Sequence, residues 1–119
     1  MSPEAGIDLL RVMAAGNTSR VYRAAMPVLG IDGSLAGAAA PGNPAIGKIA
    51  AKTGTSLQSD MNGDLMLVAK GLAGYMTTKG GRDVMFVLYA NNVRISSLDD
   101  LNAINTDMGS FAGALYEAF

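Results

Sequence analysis

Apolar residues recur along the chain at two different periods, and each change of period marks an element. Ile7, Leu10, Met13 and Ala14 keep helical spacing near the start. Ser2 stands before them as a hydroxyl N-cap, Pro3 as a first helical residue and Glu4 as an acid in the first turn. Gly16-Asn17 stops that helix. A second short helix is predicted over residues 18–25, closed by Pro27. Residues 30–47 have no period and carry Asp32-Gly33, Gly37, Pro41-Gly42-Asn43-Pro44 and small alanines, which predicts a loop.

The period then shortens to two. Residues 46–55 alternate loosely. Residues 65–77 place Leu67, Ala69, Gly71, Ala73 and Tyr75 on one face and Met66, Val68, Lys70, Leu72 and Met76 on the other. Residues 84–90, VMFVLYA, are apolar on both faces. Asn62-Gly63-Asp64 predicts one turn and TTKGGR another, which makes a hairpin of the last two strands. Ser97-Leu98-Asp99-Asp100 resembles a capping box with Asp in the Glu position. Leu98, Leu101, Ile104, Met108, Phe111, Leu115 and Phe119 then form one helical stripe to the end. Helices followed by antiparallel strands and a last helix define the α+β class, an antiparallel sheet with helices packed on it. Strands apolar on both faces call for cover on both sides of the sheet, more than two or three helices are expected to give.

Composition narrows the chemistry. With 119 residues, half of them hydrophobic and 16% charged, the chain has enough apolar material for one folded unit, not two. It shows no repeat and no Pro/Ser linker. A net charge of -1 with no basic run argues against nucleic acid or an anionic membrane surface as partner. Cysteine and histidine are both absent, which removes disulfides, thiolate catalysis, His- or Cys-ligated metal sites and a Ser-His-Asp triad. Any nucleophilic chemistry must use lysine or a carboxylate as base. No run approaches the ~20 apolar residues of a membrane span. The opening MSPEAGIDLL lacks the basic and apolar regions of a signal peptide.

The most informative stretch is Lys48-Ile49-Ala50-Ala51-Lys52-Thr53-Gly54-Thr55, read as the end of a strand. Lys52 can neutralise a carboxylate, and Thr53 and Thr55 can donate hydrogen bonds to it. Gly54 lets another backbone lie close against the strand. This combination suits an extended peptide docking as an added strand, although a bare K-T-G-T also reads as a solvated strand end. Other candidates have plainer explanations. Asp32 before Gly33 reads as a turn device and Asn91-Asn92 as a turn after a strand. The methionines, Met61, Met66, Met76 and Met85 among them, read as core filler. Lys79 and Arg82 keep a hairpin tip soluble, and Tyr75 packs with its hydroxyl at the rim.

Three segments in order, Met26-Pro27-Val28-Leu29-Gly30-Ile31-Asp32-Gly33-Ser34-Leu35, then GKIAAKTGTS, then KGLAGYMTTKGGRDVMFVLYANN, resemble the D-alanyl-D-alanine carboxypeptidases of the penicillin-binding protein superfamily. The nearest likeness is to the low-molecular-mass class C type, which also act as DD-endopeptidases. The resemblance spans residues 2–118. It implies the fold of the C-terminal portion of a penicillin-binding protein or serine β-lactamase-like transpeptidase domain, with residues 1–119 as one segment of it. The family's S-x-x-K and S-x-N motifs, which carry the nucleophile, its base and a second active-site group, lie N-terminal to such a segment. No serine here opens either motif. The connection after K-T-G-T, residues 56–64, is also longer than in many relatives.

By resemblance, the complete enzyme cleaves the terminal D-Ala-D-Ala bond of peptidoglycan stem peptides through a serine acyl-enzyme, and β-lactams acylate the same serine. It needs no metal or organic cofactor and works outside the cytoplasm. Residue by residue, Lys52 biases the site toward the substrate's terminal carboxylate, and Thr53 hydrogen-bonds within it. The Thr55 N–H is an oxyanion-hole donor with its hydroxyl near the carboxylate, and Gly54 admits the substrate closely. Two other readings stay open: a non-catalytic α+β peptide-binding or structural module that keeps the same sheet, and a serine β-lactamase, whose K-T-G neighbours fit less well. A chain lacking the N-terminal half is also expected to self-associate through uncovered sheet.

Overall fold

The computed structural model describes residues 1–119, in the order α1 (Pro3–Ala15), α2 (Ser19–Ala24), a single 3-10 turn (Gly33–Leu35), β1 (Ile49–Ser59), β2 (Leu65–Thr77), β3 (Asp83–Arg94) and α3 (Leu98–Ala118). The strands form one antiparallel sheet in the order β1-β2-β3. The α+β class read from the sequence is the fold observed. α1 begins as its sequence predicts, with the Ser2 hydroxyl accepting from the Ala5 N–H at 3.2 Å. At α3 neither bond of the predicted capping box forms, and the acid instead holds the residue before the Ser97 N-cap. The Asp100 carboxylate accepts from the Ser96 N–H at 2.7 Å, and the Ser97 side chain makes no cap bond.

Two strands run further than their hydrophobic pattern. β1 starts three residues later than predicted and continues four past Thr55, so K-T-G-T lies mid-strand. Residues 57–59, one leucine before Gln58 and Ser59, show no alternation for a pattern search to find, yet they pair with residues 65–67 beyond a bulge at Ser56/Leu57. The hairpin closes through the Asp60 carboxylate, which accepts from the Asn62 and Asp64 N–H groups at 2.8 and 2.9 Å, and through Gly63 at φ 84. The presumed long connection is therefore a two-stranded arm, with Met61 exposed at its tip rather than filling a core. β3 likewise passes straight through Asn91 and Asn92. Asn92 takes φ 56 without ending the strand, which corrects the turn expected there.

The sheet is covered on both faces. On one, α1 lies against β3: Gly6 stands over Val87, and the Tyr75 hydroxyl donates to the Leu10 carbonyl at 2.8 Å. Tyr75 is thus buried rather than at a rim, with the Arg23 guanidinium 4.5 Å from its ring centroid. Burial, and then the neighbouring Tyr22, push its hydroxyl pKa upward, with Arg23 opposing them. On the other face, α3 packs Met108 and Ala112 into a cluster with Leu72, Met76 and Phe86. Three helices suffice for two faces, contrary to the sequence expectation, because the segment predicted as plain loop joins the core. Leu29, Leu35, Ala38 and Ala45 are all buried in the same cluster under α3. The α3 stripe is narrower than its spacing predicts. Met108, Gly109, Ala112 and Gly113 are buried, while Leu98, Phe111 and Phe119 are exposed. Lys79 does more than solubilise a turn, since its ammonium pairs with Glu117 at 3.0 Å and its N–H donates to Tyr116. No helix is long and apolar enough to cross a membrane.

Candidate functional site

β1 is an edge strand, and half of its edge is used. The Leu29 N–H donates to the Ile49 carbonyl at 2.9 Å, and the Ala51 N–H donates to the Pro27 carbonyl at 3.0 Å. The strip Pro27–Leu29 therefore lies antiparallel on β1 and stops one residue short of Lys52. Two features hold the strip. The Asp32 carboxylate accepts from the Val28 N–H at 2.7 Å, the turn role predicted for it, and Gly33, at φ 54, lies against the Pro27 ring where a Cβ would come within 3.0 Å of it.

Alternation along a strand fixes which backbone groups look outward. Ile49 and Ala51 direct theirs to Leu29 and Pro27, so Thr53 and Thr55 direct theirs to the same, uncovered side. The Thr53 carbonyl accepts from the Lys52 ammonium at 2.9 Å. Side chains alternate in the opposite sense. Lys52 and Gly54 face the α1 side of the sheet, and Thr53 and Thr55 face the α3 side. Lys52, Gly54, Thr55 and Ser56 line one wall of an open depression of about 300 Å³, floored by Ala69, Gly71 and Ala73. The structure thus brings all four predicted residues to one stretch of exposed edge.

Gly54 is informative because nothing in the chain explains it. Its φ is not positive, and a Cβ built on it meets no atom within 4 Å. A strand-interior glycine without a packing reason weakens the strand, which points to a body outside the chain that needs the space. Gly54→Ala is expected to leave urea stability unchanged or slightly higher while reducing the response of residues 52–56 to an extended peptide in NMR titration. A loss of stability would show that the residue is structural.

Two residues at the site escaped the sequence reading. Tyr89, on β3, lays its ring over Gly71, where a Cβ would come within 3.0 Å of it, and closes the far side of the depression. No sequence signal separates it from packing aromatics. Lys70, on β2, is only 4% exposed, and its ammonium donates to the Thr55 hydroxyl at 2.8 Å. The signal for Lys70 was present: it is the one charge in the run LMLVAKGLAGYM. Burial pushes its pKa down from the ordinary 10.5, and the positive charge of Lys52 adds to the effect. No group of three or more acidic side chains gathers anywhere to hold a metal ion.

An antiparallel sheet clad by helices, with lysine, hydroxyl, glycine and hydroxyl along an edge strand left open, is the arrangement of the penicillin-recognising serine peptidases. Residues 1–115 match the model of the D-Ala-D-Ala carboxypeptidase 3 (S13) family, and the chain belongs to that family of serine-type carboxypeptidases. No curated protein matches the chain. Among solved structures it is similar to penicillin binding protein 4 (dacB) from Haemophilus influenzae complexed with a novel β-lactam, with 24% identity and a TM-score of 0.67 over 98% of this chain. A second crystal structure of that protein gives 23% identity and a TM-score of 0.62 over 98% of this chain. The chain spans 25% and 24% of those two structures, about a quarter of their length.

Proposed function

We propose that the chain is the C-terminal segment of a serine-type D-Ala-D-Ala carboxypeptidase domain and supplies the wall of the active site against which the peptidoglycan stem peptide lies. The observation that carries this reading is the β1 edge, capped through Ala51 and open from Lys52 onward. A stem peptide extends the sheet there by strand addition. Lys52 attracts its terminal carboxylate, Thr53 hydrogen-bonds within the site, and the outward Thr55 N–H stabilises the oxyanion of the acyl-transfer transition state. Gly54 admits the ligand backbone. The acylating serine, its lysine base and the S-x-N group come from the portion of the domain that S-x-x-K and S-x-N mark in the family. β-Lactams occupy the same edge. The setting is the periplasmic or cell-wall side of the membrane, and no cofactor takes part.

The same edge without a nucleophile also fits a non-catalytic peptide-binding module. The presence or absence of S-x-x-K followed by S-x-N upstream in the source gene separates the two. On its own the chain is expected to bind a D-Ala-D-Ala peptide weakly at residues 52–56, neither hydrolysing it nor gaining mass after incubation with benzylpenicillin. Intact-mass spectrometry makes the check, and a stable increase of one drug per chain would overturn the proposal.

The outer edge of β3 also lacks a strand neighbour, and beside it Phe111 is 55% exposed above a groove floored by Leu88, Ala90 and Met108. In the complete domain this edge receives the remaining strands of the sheet. In the isolated chain a second copy is expected to take it, because an open edge beside an apolar groove templates pairing. Sedimentation velocity should show a concentration-dependent dimer, and a monomer at every concentration would remove this part of the proposal.

A further inference from the structure

A buried lysine is costly unless an acid pairs with it, and Lys70 has none. The ion pairs of the chain are Arg11 with Asp8 and Lys79 with Glu117, both remote in sequence from β1 and neither involving Lys70. Its hydrogen-bond partner is the Thr55 hydroxyl, directly across the β1–β2 register. An ammonium can only donate, whereas a hydroxyl has one hydrogen and two acceptor lone pairs. With Lys70 filling one lone pair, the Thr55 hydrogen is turned away from it and is free to be given to a ligand. Lys52, on the opposite face of the same strand, brings a second positive charge to the same edge, and no carboxylate of the chain answers either one.

We propose that Lys70 is a positioning residue, fixed under the β1 edge, which makes the Thr55 hydroxyl a hydrogen-bond donor and sets the site's preference for ligands ending in a carboxylate. Lys70 acts through Thr55 and does not itself touch the ligand. It also explains why an apolar strand tolerates a charge that a methionine of similar length would replace at no cost to packing. This inference deepens the reading of β1 as a carboxylate-binding wall and rests on it.

The test is a pair of NMR titrations of the 119-residue chain, with N-acetyl-D-Ala-D-Ala and with its C-terminal amide, followed at the amides of residues 52–56. The wild-type chain is expected to prefer the acid by about tenfold, the order of one charge-assisted hydrogen bond. Lys70→Met should lower the acid-to-amide ratio severalfold, down to the part that the Lys52 charge supplies, Lys70→Arg should restore most of the loss, and Thr55→Val should lower the ratio as far as Lys70→Met. The double variant should lose nothing further, since both substitutions break the same relay. A Lys70→Met chain that binds acid and amide more weakly by equal factors, leaving the ratio unchanged, would overturn the proposal, because a merely structural lysine behaves that way. If Lys70→Met does not fold, Thr55→Val against Thr55→Ser decides: only valine should lower the acid-to-amide ratio, and equal ratios would overturn the proposal. A wild-type chain with no response at residues 52–56 to either ligand would remove the carboxylate wall itself and this inference with it.

Discussion

Lys52→Ala, made in a complete domain that carries this chain with its serine-bearing portion, is expected to slow acylation by benzylpenicillin by about 10² to 10³. The size follows from where the ammonium stands. Lys52 borders the open depression, beside the outward Thr55 N–H, and no acidic side chain shares its charge. A ligand seated on the β1 edge displaces water from that corner, and a charge that has lost water from one side acts at a lower effective dielectric. Lys52 also bonds the Thr53 carbonyl at 2.9 Å in the free chain. Alanine therefore frees an outward acceptor that repels an incoming carboxylate, in addition to removing the attraction. Lys48 supplies the control. It is exposed, precedes β1 and lies on the stretch already capped by Leu29 and Pro27. Lys48→Ala should change the acylation rate less than about threefold, within the range of an exposed charge. Stopped-flow or gel-based acylation with a fluorescent penicillin measures both. Equal losses at the two lysines would mean that Lys52 has no special place.

How much of this was legible beforehand depends on whether the signal was local. The start of α1, the turn at Asp32 and the pairing of β2 with β3 follow from residues within a few positions of one another, and caps, turn residues and alternation report them directly. The Lys52–Thr55 motif was visible because its residue types carry chemistry. What stayed hidden depended on long-range pairing. Ser56 to Ser59 form strand only because β2 offers them partners, and a lone leucine among polar residues facing solvent gives no period to read. The alanine-rich stretch 36–45 looked like loop because alanine beside glycine and proline is ambiguous. Its burial is imposed by α3, some seventy positions away. The openness of the β1 edge after Ala51 could not be read from the motif at all. It follows from where the Pro27–Leu29 strip begins: in the antiparallel pairing Pro27 is the end nearest Lys52, and the residues just before it belong to the turn that leaves α2 at Ala24.

That dependence on α3 leads to the largest expected stability effect, at Gly109. On propensity alone, Gly109→Ala should stabilise a mid-helix position by about 1 kcal/mol. Packing reverses the sign. A Cβ at Gly109 would collide with the Ala38 carbonyl oxygen, and one turn on, a Cβ at Gly113 would lie 2.6 Å from Asn43 Oδ1. The first obstacle is backbone, so no rotamer relieves it. Asn43 fastens the contact from the other side, donating to the Gly109 carbonyl at 3.0 Å while accepting from the Ala45 N–H at 2.9 Å. α3 must lift for the methyl to enter, and lifting it uncovers Leu29, Leu35, Met108 and Ala112 together. We expect Gly109→Ala to cost about 3 kcal/mol or more, at the upper end of overpacking, read as a fall in the urea midpoint with little change in slope. Gly37→Ala is the control, since a Cβ there meets nothing within 4 Å. It should change stability by no more than about 0.5 kcal/mol, as surface substitutions usually do. Leu29 ties this result to the site: it is buried under α3, and its N–H and carbonyl hold Ile49 and Gly47. A lifted α3 therefore loosens the strip that caps β1, and the amide of Ala51 should exchange with solvent faster in Gly109→Ala than in Gly37→Ala, beyond the difference in global stability. Equal urea midpoints for the two variants would mean that α3 does not rest on the Ala38 backbone, and the route from helix to the β1 edge would fall with it.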